Sequence, residues 1–253
     1  MFKRRVAFVL AVVSSLYAQA PLENDGKPMR VPYQCASAET QGAGLGCAED
    51  EPCPVYIELA NVAAVGGELF VTGNIHTPMV TLSSILLASQ DDGKSWSEPY
   101  PRQPSSGLDQ IQFLDFQYGW ISGANLQTAP RDPFLLLTTD GGKTWRQQRL
   151  FDETRVAAIE RFSFDSPKHG LLSVDASLDN GKHEVYETHD GGASWIIQQT
   201  SDAPISFPAE KPQSPGWRVR TDAATHSYVI EKSQNNRWQK MASFLVQIAT
   251  CQE

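Results

Sequence analysis

The chain has 253 residues, 41% of them apolar and 20% charged, with 18 Gly and 16 Pro. This is globular composition, and it excludes collagenous, coiled-coil and mostly disordered chains. Its 29 acidic residues outnumber 21 basic ones for a net charge of −8, and no Lys/Arg cluster follows residue 5. That balance argues against a nucleic-acid partner, which needs a basic face to displace counterions.

Residues 1–20 read as a secretory leader. Lys3, Arg4 and Arg5 precede an apolar run over residues 6–16, and small residues follow at Ala18 and Ala20. The run of about eleven residues is short of the ~20 that a membrane-spanning helix needs. No later stretch is long and apolar enough to span, so the expectation is a secreted or periplasmic chain with no membrane insertion after cleavage near Ala18 or Ala20.

Residues 21–53 form a Cys-containing extension, and residues 54–253 form the main body. Cys35, Cys47 and Cys53 sit at the front and Cys251 lies two residues from the end. In an oxidising compartment an even count predicts two disulfides. Intervals of 12, 6 and 198 residues do not suit a zinc site. Any full pairing ties the tail to the head. Residues 54–59 and 244–250 both look extended, and antiparallel pairing of the two would bring Cys53 beside Cys251. Cys53–Cys251 is therefore the expected clasp and Cys35–Cys47 the expected loop staple.

An internal repeat organises the body. The octapeptides at 89–96, 138–145 and 188–195 share [S/T]-x-Asp-x-Gly-x-[S/T]-Trp, with Asp91, Gly93 and Trp96, then Asp140, Gly142 and Trp145, then Asp190, Gly192 and Trp195. Their Trp residues are 49 and 50 apart, and a worn copy at 231–238 ends in Trp238 after 43 more. It carries Ser233 for Asp and Asn235 for Gly. Phe113 and Gly119 recur 51 residues later as Phe164 and Gly170. The octapeptide reads as a hairpin turn: an apolar strand enters, Asp accepts backbone N–H groups, Gly supplies positive φ, and Trp packs beneath. The worn turn should survive in weaker form.

Each unit divides into about four short strands, which for the second are 111–116, 120–123, 134–138 and 145–150. No segment shows a sustained 3.6-residue apolar period. Four antiparallel strands per ~50 residues make a propeller blade, because so small a sheet must stack on neighbours to bury its faces. The fold class is therefore all-β, a small β-propeller of four four-stranded blades at about 60–104, 105–152, 153–202 and 203–245, with a partial fifth if the two terminal strands pair.

The octapeptide resembles the Asp-box, or BNR, repeat. With Tyr118-Gly119-Trp120-Ile121-Ser122-Gly123 upstream, the chain is most similar to the photosystem II stability/assembly factor-like family, and more distantly to sortilin-type and sialidase-type propellers. The resemblance implies that the box residues are structural, lying on the rim away from the ligand-bearing mouth. It also implies help in assembling or stabilising a membrane complex. Four recognisable blades are fewer than those families carry, so either the ring is small or a homodimer completes it.

Two functions follow for testing. A non-catalytic platform would bind a protein partner through loops at one mouth, with residues 74–83, 124–132 and 177–183 as contact regions. An Asp-box glycoside hydrolase acting on extracellular glycans would need paired carboxylates. Asp109, Asp115, Glu160 and Asp165 lie on or beside innermost strands. A sialidase would also need an arginine cluster, to which Arg102 is the nearest approach. The five His show no ligand spacing, so neither a metal site nor a cofactor is expected.

Overall fold

The computed structural model describes residues 20–35, 44–205 and 214–252. The expected leader lies outside these residues except for Ala20, as does most of the linker at 204–215. Among the described residues every regular element is a β-strand, and no helix is long and apolar enough to cross a membrane.

The described residues open with β1 (Leu22–Glu23). β2 (Cys53–Val65), β3 (Glu68–His76) and β4 (Thr81–Ser89) make the first antiparallel meander, and the short β5 (Ser95–Trp96) pairs with β1. The second sheet is β6 (Ser106–Phe113), β7 (Gly119–Asn125), β8 (Arg131–Thr138) and β9 (Arg146–Arg149). The third is β10 (Ala158–Phe164), β11 (Gly170–Ala176), β12 (Lys182–Thr188) and β13 (Ile196–Ser201). The fourth is β14 (Trp217–Asp222), β15 (Ser227–Gln234) and β16 (Arg237–Leu245), after which β17 (Gln247–Cys251) returns to the first sheet beside β2. The described residues therefore form five sheets, three of four strands, one of three and one of two, instead of four equal blades.

Three buried clusters join the sheets in succession. Trp96, Ile230, Phe244 and Leu69 join the fourth to the first, while Phe70, Leu86, Ile121 and Leu136 join the first to the second. Trp120, Leu135, Phe162 and Leu172 join the second to the third. A central strand such as β7 is buried on both faces because Trp120 and Ile121 point to different neighbours. No fourth cluster joins the third sheet to the fourth among the described residues. On β13, Ile196 and Ile197 are 58% and 48% exposed.

The Phe-Gly repeat is a packing unit. Phe113 pairs directly with Gly119 and Phe164 with Gly170, and each Phe ring lies within 2.7 Å of where a Cβ on its Gly would stand. Only Gly leaves room for the ring.

The terminal strands pair as expected, with Cys251 opposite Cys53 and Thr250 opposite Pro54. They extend the first sheet, since β2 runs unbroken from Cys53 into the meander. The disulfides differ from the expectation: they are Cys35–Cys251 and Cys47–Cys53. The reason lies in the path of the extension. Met29 runs parallel to β16 through hydrogen bonds from Met29 N to the Ser243 carbonyl and from Leu245 N to the Met29 carbonyl, both 2.8 Å. This path delivers Cys35 to the end of β17, while Cys53 takes a partner six residues away. The tail is still tied to the head, through a different cysteine.

Candidate functional site

The three full octapeptides fold alike. Asp91 accepts bonds from the backbone N–H of Lys94 and Ser95 and from the hydroxyls of Ser89 and Ser95, at 2.7–3.0 Å. Asp140 does the same with Thr138 and Thr144, and Asp190 with Thr188 and Ser194. The leading hydroxyl in turn accepts the N–H of Gly93, Gly142 or Gly192 at 2.8–2.9 Å. Two consecutive residues take positive φ, 92–93, 141–142 and 191–192, which explains the Gly. The Ser95 N–H and hydroxyl hold Asp91 down at about 2, and the Ser194 hydroxyl leads the same effect at Asp190. At Asp140, desolvation pushes the pKa up, but the bonds from Thr144, Thr138 and Lys143 together outweigh it and again lower the pKa. These carboxylates are held ionised by the donors of their own turns.

Each turn fastens one sheet to the sheet before it. Trp96 meets Phe244 of the fourth sheet edge-on at 5.2 Å, and Trp145 meets Phe70 of the first at 6.1 Å. The Trp120 indole N–H of the second sheet donates to the Gly191 carbonyl of the third turn at 3.4 Å. Trp96 and Trp145 are buried, whereas Trp195 is half-buried.

The worn copy departs from this scheme. Its left-handed pair is Asn235–Asn236, one position later than in the full copies, and closes a two-residue hairpin with Gln234 opposite Arg237. The turn survives, but Trp238 does not pack beneath it. The ring is 42% exposed, with the Arg218 guanidinium 4.0 Å from its centroid. The eroded copy belongs to the sheet whose contact with the third sheet lacks a cluster.

A cavity of about 240 Å³ opens between the innermost strands of the first three sheets. Small and apolar residues form most of its wall, among them Ala60, Gly107, Leu108, Gly123, Leu126 and Ile159. Its charged residues are Glu58 of β2 and Asp109 of β6, with no Lys, Arg or His in the wall among the described residues. Asn74 Nδ2 donates to Glu58 Oε2 at 3.0 Å. Desolvation, and then the negative charge of Glu58, pushes the Asp109 carboxyl up.

Backbone irregularity aims Asp109, whereas Glu58 stands in the regular ladder opposite Asn74. All three innermost strands break register at corresponding places, between Leu59 and Asn61, between Leu108 and Ile111, and between Ile159 and Arg161. A bulge places an extra residue and turns a side chain out of the ladder. Thr72 anchors the Asp109 carbonyl, and Gln110 anchors the Glu160 carbonyl.

Of the acids picked out from sequence, only Asp109 reaches the cavity. Asp115 caps its own turn, accepting the N–H groups of Gln117 and Tyr118 at 2.8 Å. Asp165 bonds His169, and Glu160 faces His183. Arg102 is held by Glu98 and by the Pro32 carbonyl. Two of the three expected contact regions contribute to the wall, through Asn74 and through Ala124, Leu126 and Pro130. Residues 177–183 do not: Asp179 and Asn180 serve a network around Arg155 and Glu184. Glu58 escaped the sequence reading. Its one signal is that it interrupts the apolar residues at the start of β2.

No protein-family model matches the chain. It is 30% identical over 131 residues to the Photosystem II assembly lipoprotein Ycf48 of Synechococcus sp. (strain CC9902), which covers 51% of this chain and 35% of that protein. The chain therefore spans about a third of the length of the curated relative it matches. Among solved structures it resembles the GH74 xyloglucanase of Xanthomonas campestris at 13% identity, with a TM-score of 0.40 over 72% of this chain and 28% of that one. It likewise resembles the α-L-arabinofuranosidase of Fusarium graminearum at 14% identity, with a TM-score of 0.39 over 88% and 61%. Likenesses this distant bear on neither activity nor substrate.

Proposed function

We propose that the chain is an exported, non-catalytic propeller that serves as a platform for assembling or stabilising a membrane complex, holding a protein partner at the cavity. The cavity carries this reading. A recess with small apolar walls and two carboxylates, and with no cation of its own, fits a partner's Lys or Arg side chain: the walls take the alkyl stem and the acids take the charge. Two further observations support it. The pairing of all four cysteines fits an oxidising compartment, and the relative named above is an assembly protein.

The same two carboxylates support a second reading, glycoside hydrolysis, in which the carboxyl with the raised pKa acts as the acid. One experiment separates the readings. The mature chain and its Glu58→Gln/Asp109→Asn variant are compared for co-purification of a partner from the native envelope and for turnover of a panel of aryl glycosides. The platform predicts a defined partner, lost at least tenfold in the variant, with no turnover. Turnover abolished by the variant would establish the enzyme instead.

A further inference from the structure

We propose that Glu160, Asp175 and His183 form a binding site for a divalent transition ion of the zinc class on the third sheet. The three residues come from three adjacent strands, β10, β11 and β12, and each offers one ligand atom within 4.8 Å of the others. Asp175 and His183 are direct cross-strand partners, and Glu160 occupies the register break of β10. Phe162, Val174 and Tyr186 belong to the hydrophobic cluster; Asp175 and His183 alternate with Val174 and Tyr186 and so occupy the opposite face, and the bulge in β10 brings Glu160 to them.

The imidazole gives the independent evidence. His183 is only 8% exposed, and its Nδ1 is buried without a hydrogen-bond partner. Buried polar atoms are partnered as a rule, so this one calls for an explanation. Nδ1 points at Glu160 Oε1 from 3.3 Å and at Asp175 Oδ1 from 3.9 Å. Ion-paired hydrogen bonds are shorter than either separation. Ligands bound to zinc at ~2.1 Å in a tetrahedron stand about 3.4 Å apart, which the first separation matches. The second would close by about 0.5 Å as Asp175 moves in.

The chemistry also balances. Neutral imidazole donates the Nδ1 lone pair with its proton on Nε2, two carboxylates neutralise a 2+ ion, and water completes the shell. The surroundings restrain the ligands: Ser177 N–H donates to Asp175 Oδ1 at 2.9 Å, and Gln110 holds the Glu160 carbonyl. In a second group, His169, Glu187 and His189, the His169 imidazole has both bonds made already, Nδ1 on Asp165 at 2.8 Å and Nε2 on Glu187 at 2.9 Å, and His189 is exposed to water. That group needs no ion to satisfy it.

The test uses the untagged mature chain, zinc alone, equilibrium dialysis and metal analysis. To remove the second group, all measurements are made in a His169→Gln/His189→Gln background. That chain is expected to bind one zinc and to melt at a higher temperature with zinc than without it. Adding His183→Gln should weaken binding roughly 100-fold and abolish the shift, while adding Glu160→Gln should weaken it roughly tenfold. Near-UV circular dichroism checks that each variant is folded, and Glu160→Gln decides the matter if His183→Gln is not. No zinc in the background chain, or binding unchanged by the folded variants, would overturn the site.

Discussion

Gln112 of the second sheet grips Phe164 of the third from both ends of one amide: Nε2 donates to the Phe164 carbonyl and Oε1 accepts the Phe164 N–H, each at 2.8 Å. The side chain thus does for two separate sheets what a backbone ladder does within one. Gln112 is 6% exposed and belongs to β6, while Phe164 ends β10. Directly above, the Trp120 ring stacks on the Phe164 ring at 3.9 Å with a 5° interplanar angle.

Gln112→Ala leaves a buried N–H and a buried carbonyl without partners, which costs about 1–3 kcal/mol for each group that water fails to reach. The expected outcome is a loss of about 2–4 kcal/mol in urea unfolding with the slope unchanged. Gln112→Met keeps the volume but not the bonds and should lose nearly as much. If either variant unfolds within 0.5 kcal/mol of the parent, the amide is not joining the sheets.

How much of this was legible in the sequence depends on the range of each interaction. The octapeptide turns were legible because Asp91 reaches only from Ser89 to Ser95, so residue type and spacing dictate the bonds. The displaced turn at Asn235–Asn236 was not, since either Asn tolerates positive φ and strand register decides which pair turns. Asp109 was visible as an acid on an inner strand, but its meeting with Glu58 depends on a bulge in β6 and on how two separate sheets pack. Gln112 gave no signal at all, because its partner lies 52 residues away. The cysteine pairing turned on the path of the extension beside β16, which composition does not encode.

The two disulfides close loops of very different length, with their partners 216 and 6 positions apart in sequence. In the chain-entropy picture the long loop constrains the unfolded state by roughly 5 kcal/mol and the short one by roughly 2 kcal/mol. Cys35→Ser/Cys251→Ser should therefore lower the melting temperature by more than twice as much as Cys47→Ser/Cys53→Ser. The first pair also ties the extension to β17, so its loss should expose the extension to limited proteolysis ahead of global unfolding. Equal effects from the two double variants would contradict this ordering.

Gly119 and Gly170 face Phe113 and Phe164 across their hairpins with no space for a methyl group. Gly119→Ala must displace a ring that also touches Phe70 at 5.0 Å and Trp145 at 5.9 Å. Overpacking of this kind costs about 1–3 kcal/mol. Gly67 provides the control: nothing lies within 4 Å of its Cβ position, and its φ of +89° sits in a two-residue hairpin. Gly67→Asn should stay within about 1 kcal/mol of the parent, since Asn tolerates the left-handed region. The contrast is read in paired thermal melts, and it fails if Gly119→Ala is the milder of the two.

The octapeptide acids give the fold a defined acid limit. Asp91 and Asp190 sit near 2 when folded against an unfolded value of 3.8, and Asp140 is lowered as well. A carboxylate with a depressed folded pKa contributes stability above its unfolded pKa and loses it as pH falls through the folded one. All three contributions are therefore present at neutral pH; those of Asp91 and Asp190 fade between about pH 4 and pH 2, and that of Asp140 fades as pH falls through its own lowered pKa. Because all three carboxylates lie near solvent, screening makes each contribution modest. Replacing Asp140 by Asn should lower stability at pH 7 by about 1–2 kcal/mol, the cost of losing the Thr144 bonds. As pH falls through the lowered pKa of Asp140 the parent's own carboxyl takes up its proton, so the gap between the two chains should narrow toward acid. Urea titrations at pH 7, 4 and 2 read the difference, and a gap that stays constant across that range would mean that Asp140 acts through packing and not through its charge.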